Sequence, residues 1–247
     1  MKDKAYFASD FHLGAPDKIL SAEREKRIIQ WLDFIKNDAE YLFLLGDIFD
    51  FWYEWKHVVP KGFVRFLNKI AELVESGTKV YYFTGNHDIW AYNYLADEIG
   101  VKIFREPKLF EINGLKIYVG HGDGLGNHDK KYKMLKYLFT NKILQWMFSN
   151  LLHPNFAIWL GKKWSLSRNA YSRKPVFHGE TEWIVEYIKQ NMSNIQADCY
   201  IFGHRHCNAE FMINQNTKYI NTGVWFNKSP YAILANKNIT LKNFQAD

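Results

Sequence analysis

Residues 41–50 read Tyr41-Leu42-Phe43-Leu44-Leu45-Gly46-Asp47-Ile48-Phe49-Asp50. A compact apolar run of this kind predicts a strand buried on both faces, and it stops at a glycine followed by an acid. Two other stretches share the form. Ala5 to Ser9 runs into Asp10-Phe11-His12, and Val80 to Thr84 runs into Gly85-Asn86-His87-Asp88. Between these runs, Arg24 to Lys36 and Phe63 to Val74 carry apolar residues at helical spacing. Strand, helix, strand, helix, strand predicts an α/β layered sheet, in which ligand sites assemble beyond the carboxyl ends of the strands.

Further along, Lys108 to Ile112 and Lys116 to Val119 flank Asn113-Gly114, a strong hairpin signal that makes the sheet mixed. Thr181 to Gln190 reads as a helix covering the sheet. Cys199 to Phe202, Glu210 to Ile213, Tyr219 to Asn221 and Tyr231 to Leu234 read as strands that complete it. Residues from about 128 to 175 differ in character. Tyr132, Leu135, Phe139, Ile143, Trp146 and Met147 follow one helical period, His153-Pro154 breaks it, and Phe156 to Trp164 resumes it. The expectation is a single domain, residues 1–247, interrupted by an inserted helical cap.

The chain has 247 residues, 47% of them apolar and 23% charged, which excludes disorder, collagen and coiled coil. Its net charge of +6 is unevenly placed. Residues 130–179 contain ten Lys and Arg and no acid, while the remainder carries 22 basic residues against 26 acidic. The insertion is therefore expected to face phosphate, an anionic membrane surface or nucleic acid. Two cysteines, Cys199 and Cys207, are too few for a disulfide framework and suit a reducing compartment. No apolar leader or spanning segment is read in the sequence.

Five polar clusters follow the strand-like runs: Asp10-x-His12, Gly46-Asp47 with Asp50 beyond, Gly85-Asn86-His87-Asp88, Gly120-His121-Gly122-Asp123 and Gly203-His204-Arg205-His206. Either His-containing pair alone is as consistent with an ordinary surface pair; five clusters in order point to one metal centre. Residues two apart in extended backbone project the same way, so each pair can grip a cation. The glycines are expected where another group approaches the backbone. Carboxylate, imidazole and amide without thiolate suit Mn, Fe, Co or catalytic Zn. If Asp47 bridges two ions, Asp10, His12 and His206 complete one site, and Asn86, His121 and His204 the other. His87 then projects toward substrate as a catalytic group, with Asp88 orienting it. Asp50 and Asp123 are read either as partners of ligand imidazoles or as loop hydrogen-bonders.

This series of motifs resembles the calcineurin-like metallophosphoesterase superfamily, and the resemblance spans residues 10–206. Within it, Ser9-Asp10-Phe11-His12-Leu13, Leu45-Gly46-Asp47-Ile48-Phe49-Asp50, His121-Gly122-Asp123 and the helical insertion are most similar to the UDP-2,3-diacylglucosamine hydrolases. The resemblance implies a four-layered α/β/β/α core with an inserted helical cap, two divalent metal ions, most simply Mn, and a role in lipid A synthesis. It further implies cleavage of a lipid-linked nucleotide pyrophosphate to UMP and 2,3-diacylglucosamine 1-phosphate by a cytoplasmic protein peripheral to the inner membrane, with the cap holding the acyl chains. Substrate contacts carried over fall on Asn86, His87, Asp129, Tyr132, Ser167, Arg168, Lys174 and His204. Two positions depart from the family pattern: many members have Arg where this chain has His87, and Tyr171 aligns with a cap Asn.

The alternatives are a phosphodiesterase or phosphatase for another substrate, a non-catalytic scaffold, and a nuclease. The complete ligand set argues against a scaffold. Aromatic residues at helical period argue for buried faces instead of exposed base-stacking strands, so nucleic acid is not the expected partner.

Overall fold

The computed structural model describes residues 2–126, 130–167 and 175–245, apart from the side chains of residues 130, 131 and 167. The three leading runs form β1 (Lys4–Ala8), β2 (Ala39–Leu45) and β3 (Lys79–Phe83), paired in parallel. Helices α1 (Lys18–Ile35) and α2 (Val64–Glu75) connect them. Helix α1 begins six residues before the apolar period does, because the Asp17 carboxylate accepts from the backbone N–H groups of Ile19 and Leu20, both at 2.9 Å. Helix α3 (Tyr94–Ile99) and β4 (Lys102–Phe104) follow.

The hairpin forms as expected from β5 (Lys108–Ile112) and β6 (Leu115–Val119), with positive φ at both Asn113 (53°) and Gly114 (78°), the turn whose twist matches paired strands. Its strands do not extend the first sheet. They open a second sheet with β7 (Cys199–Phe202), β8 (Asn208–Met212) and β9 (Lys218–Thr222), in the order β5-β6-β7-β9-β8. The chain then returns: β10 (Pro230–Ala235) pairs antiparallel with β1, and β11 (Asn238–Asn243) closes the edge, giving β11-β10-β1-β2-β3-β4.

Two-residue periodicity explains the layers. Ala5 and Phe7 of β1, with Phe43, Leu45 and Phe83, face Ile117, Val119, Ile201 and Ile220 between the sheets, where Phe7 stacks on Phe43 at 4.7 Å. The alternate residues Tyr6 and Ala8 pack outward with Ile28, Trp31 and Leu32 of α1 and Phe66 and Ile70 of α2. On the other outer face, Tyr200, Phe202 and Tyr219 meet Ile184, Val185 and Ile188 of α7 (Trp183–Asn191). The order is helices, sheet, sheet, helix. Both cysteines are buried and unpaired.

The insertion contains α4 (Lys130–Thr140), α5 (Lys142–Leu151) and α6 (Pro154–Ser167). The single period expected through Tyr132 to Met147 is cut at Asn141, whose side chain caps α5 by accepting from Ile143 and Leu144 at 3.0 and 3.1 Å. Nor do its apolar residues all face inward: Ile143 is 70% exposed and Trp146 60%. Among the described residues no helix is long and apolar enough to cross a membrane.

Candidate metal centre and adjoining pocket

The loops after β1, β2, β3, β6 and β7 bring the five clusters together. Their backbone is not extended as the pair spacing suggested. Asp10, His12, Asp47, His204 and His206 all have positive φ, between 45° and 64°. Each is a left-handed turn residue, a costly conformation for side chains other than glycine that persists only where its surroundings enforce it. The chain curls immediately after β1, β2 and β7, and curling lets donors from separate loops converge. The glycines make room for the convergence: a Cβ on Gly46 would lie 2.6 Å from His121 Nδ1, and one on Gly85 or Gly203 would strike Asp47 or Asp10.

Two groups of donors result, sharing Asp47. Ligand atoms of Asp10, His12, Asp47 and His206 lie within 4.8 Å of one another, as do those of Asp47, His121 and His204. Asn86 joins the second group, its Oδ1 3.0 Å from His204 Nδ1 and 3.4 Å from His121 Nε2. The arrangement fits cations. His12 Nε2 and His206 Nε2 stand 3.1 Å apart, and buried Asp10 Oδ1 sits 3.1 Å from His206 Nε2 with no hydrogen bond of its own. Outer partners aim the imidazoles. His121 Nδ1–H donates to the Leu45 carbonyl at 2.8 Å and His12 Nδ1–H faces Asp50 Oδ1 at 3.3 Å, which turns each Nε2 lone pair toward Asp47.

Without a cation, the buried carboxylates and imidazoles pair with one another: burial would lower His121, but Asp47 beside it holds the ring well above the usual imidazole range. Burial alone would raise the Asp47 carboxyl, but His121 and His87 beside it hold it well below the usual carboxylate range. Burial, then the neighbouring His121, pushes His204 down to about 4 and so keeps it a neutral donor. Burial likewise lowers His12.

Asp88 does not orient His87. Its carboxylate accepts from the backbone N–H of Gly85 at 2.7 Å and of Ile48 at 2.8 Å and from the Tyr82 hydroxyl, tying the loop after β2 to the loop after β3. Burial, then Asp47, pushes it up to about 6. The His87 ring is held instead through Nδ1–H to the Asp50 carbonyl at 2.8 Å. Asp50 also accepts from Ser165 Oγ of α6 at 2.8 Å. One carboxylate thus joins the His12 imidazole to the insertion. Nothing in a lone serine within an apolar helix announced this, whereas Phe51-Trp52-Tyr53 directly after Asp50 was an available signal for what lies beside it.

That neighbour is an apolar pocket of about 420 Å³. Asp50, Asn86 and His87 form its polar end, Phe51, Tyr53 and Trp90 a wall from the core, and Leu135, Leu138, Phe139, Leu144, Phe148, Leu160 and Trp164 a wall from the inserted helices. Of the other expected substrate contacts, buried Tyr132 places its ring 6.4 Å from that of His204. Asp129, Arg168 and Lys174 lie outside the described residues, as does Tyr171, and Ser167 ends α6 with its side chain undescribed. Asp123 pairs with Lys136 of α4 at 3.4 Å.

The family model for calcineurin-like phosphoesterases matches residues 4–208. Among curated proteins, a UDP-2,3-diacylglucosamine hydrolase of Porphyromonas gingivalis is 31% identical, covering 99% of each chain. One from Vibrio atlanticus is 29% identical over 97% of each. Among solved structures, Yfce, a phosphoesterase from E. coli, superposes with a TM-score of 0.45 at 15% identity, covering 96% of this chain and 90% of that one.

Proposed function

The chain belongs to the calcineurin-like phosphoesterase family and is a metal-dependent phosphoester hydrolase, and from that premise we propose that it cleaves the pyrophosphate of UDP-2,3-diacylglucosamine, releasing UMP and 2,3-diacylglucosamine 1-phosphate for lipid A synthesis. The observation that carries this reading is the apolar pocket ending on His87 and Asn86: a site for phosphate chemistry opens directly onto a space for hydrocarbon. The two curated relatives bear the name of that activity.

Asp10, His12, Asp47 and His206 would hold one divalent ion, and Asp47, Asn86, His121 and His204 the other, with Mn matching this donor set. When bound, such a pair supplies Lewis acidity toward phosphoryl oxygens and lowers the pKa of water to near neutrality. The protein does the rest. His87 has committed Nδ1–H to the Asp50 carbonyl, so only its protonated ring can donate from Nε2; in that form it neutralises the phosphate departing with the diacylglucosamine. Asp88 fixes the loops that carry Asp47 and Asn86. Acyl chains lie against Phe51, Trp90, Leu138 and Leu144, away from water. Asn86, His87, Asp129, Tyr132, Ser167, Arg168, Lys174 and His204 are proposed as substrate contacts.

The domain is read as one unit, with the helices of 128–175 as its cap. Exposed Ile143, Trp146, Leu151 and Trp159 beside Lys142, Lys162 and Lys163 suit that cap to rest on an anionic inner-membrane surface. Purified protein with Mn is expected to release UMP from UDP-2,3-diacylglucosamine. Offered an aryl phosphodiester and single-stranded DNA in parallel, it should favour the lipid nucleotide; turnover of either of the others without it would overturn the proposal.

A further inference from the structure

A second cavity, of about 440 Å³, adjoins the ligand cluster on its His12–His206 side, and shares no lining residue with the apolar pocket on the His87–Asn86 side. Leu20, Glu23, Arg24, Lys26 and Arg27 of α1, with Pro16 just before it, form one wall, and Phe226 and Asn227, between β9 and β10, form the other. Phe226 is the partition: its ring centroid lies 5.5 Å from that of His12 and 6.1 Å from that of His206. The walls are pinned. Arg27 Nη2 donates to the carbonyls of Trp225 and Phe226, both at 2.9 Å, and buried Arg24 donates to the His12 carbonyl at 2.7 Å while its guanidinium lies 5.0 Å from the Phe226 ring centre.

The composition is specific. Lys26 and Arg27 supply cationic charge, Glu23 a carboxylate able to accept from a diol, Asn227 an amide with one donor and one acceptor edge, and Phe226 an apolar ring. A nucleoside monophosphate offers the complement of each: phosphate, ribose hydroxyls, an imide edge and a planar base. A diacyl chain offers none of them. The geometry points to this cavity as the seat of the nucleoside monophosphate half of the substrate, with Asn227 pairing the base, the edge of the Phe226 ring packing against it and Glu23 accepting from the ribose. This rests on the reading of a UDP-linked lipid given above. It also completes that reading: the acyl pocket and the nucleotide cavity flank the metal ligands, and the pyrophosphate spans between them.

The test is UMP binding to the full-length Mn-loaded protein by calorimetry, with inorganic phosphate and ribose 5-phosphate as comparators. Asn227→Ala and Glu23→Ala should each weaken UMP about fivefold, the loss of one hydrogen bond, and weaken inorganic phosphate less than twofold. Asn227→Ala should leave ribose 5-phosphate unmoved, while Glu23→Ala should not. Photo-crosslinked 5-iodo-UMP should attach within residues 223–228. Unchanged UMP affinity in both variants, attachment elsewhere, or equal losses for UMP and inorganic phosphate would overturn the assignment. The two readings fail separately. UMP bound through Asn227 by a protein that leaves the lipid nucleotide intact sinks the substrate and keeps the cavity; cleavage with UMP affinity untouched in both variants does the reverse.

Discussion

The loops after β2 and β3, which carry Asp47, Asp50 and Asn86, and the helices α4 to α6 line the same pocket, yet they are built on opposite plans. The loop side chains are buried, and hydrogen bonds fix them from several directions: Asp88 alone joins the loops after β2 and β3. The inserted helices leave Ile143, Trp146, Leu151 and Trp159 open to solvent. They reach the core through isolated bonds, such as Tyr53 Oη to the Gln145 carbonyl, Trp90 Nε1 to the Phe139 carbonyl and Ser165 to Asp50. Phosphoryl chemistry demands donors fixed within a fraction of an ångström, whereas hydrocarbon is held without direction. Rigidity is placed where geometry decides the rate, and adaptable surface where only burial is needed.

The strongest way to break this contrast is Asp47→Asn, which keeps the shape and removes the shared charge. We expect kcat/KM to fall about 10³-fold or more, several kcal/mol of transition-state stabilisation, and bound Mn measured by mass spectrometry to drop. Chelation should match that loss, and added Mn should reverse it. A variant that keeps its full metal content and activity would show the loops to be scaffold only. Leu144→Ala, in the insertion, should behave otherwise: KM for the lipid nucleotide rises about tenfold for the lost apolar contact, with kcat little changed. A kcat effect as large as that of Asp47→Asn would erase the distinction.

Ser165→Ala sharpens the boundary, because it severs the bond between the two regions. We expect kcat to fall about fivefold, about 1 kcal/mol and so the scale of one net hydrogen bond, and Ser165→Thr to restore it in part. A further effect is on the pH dependence of stability in metal-free protein. Folded His204 titrates near 4 and the free side chain near 6.5, so across that window the unfolded chain holds more protons and this contribution rises with pH. Asp88, raised from 3.8 to about 6, opposes it: the folded state keeps a proton that the unfolded state has released, and its contribution falls as pH rises. Urea midpoints of the wild type relative to His204→Gln should therefore improve between pH 4.5 and 6.5; a flat difference would show His204 to be solvated.

Much of this was legible because local chemistry decides it. The apolar run Tyr41 to Leu45 forms β2, and Asn113-Gly114 turns as its sequence requires. The glycines before Asp47, Asn86 and His204 mark true close approaches. What escaped depends on distant partners. No period in Glu210 to Ile213 tells it from Tyr231 to Leu234, yet the former joins the second sheet and the latter returns to the first. Helical spacing identified α5 but not its exposure, since a stripe of Ile143, Trp146 and Met147 reads the same whether it faces a core or solvent. Asp88 was misassigned for the same reason: its neighbour in sequence is His87, but its partners are backbone amides of two loops.

The donors come from both sheets: Asp10, His12, Asp47 and Asn86 follow strands of the first, His121, His204 and His206 strands of the second. Cations held by those seven side chains, as proposed, would act as a rivet through the seam of the sandwich. Stripping it should do more than silence the enzyme. The two halves would be free to breathe at that end, and the amides of Gly46 and Gly203 would report it as faster deuterium uptake than the amides of Ala5 and Phe7 at the seam's interior.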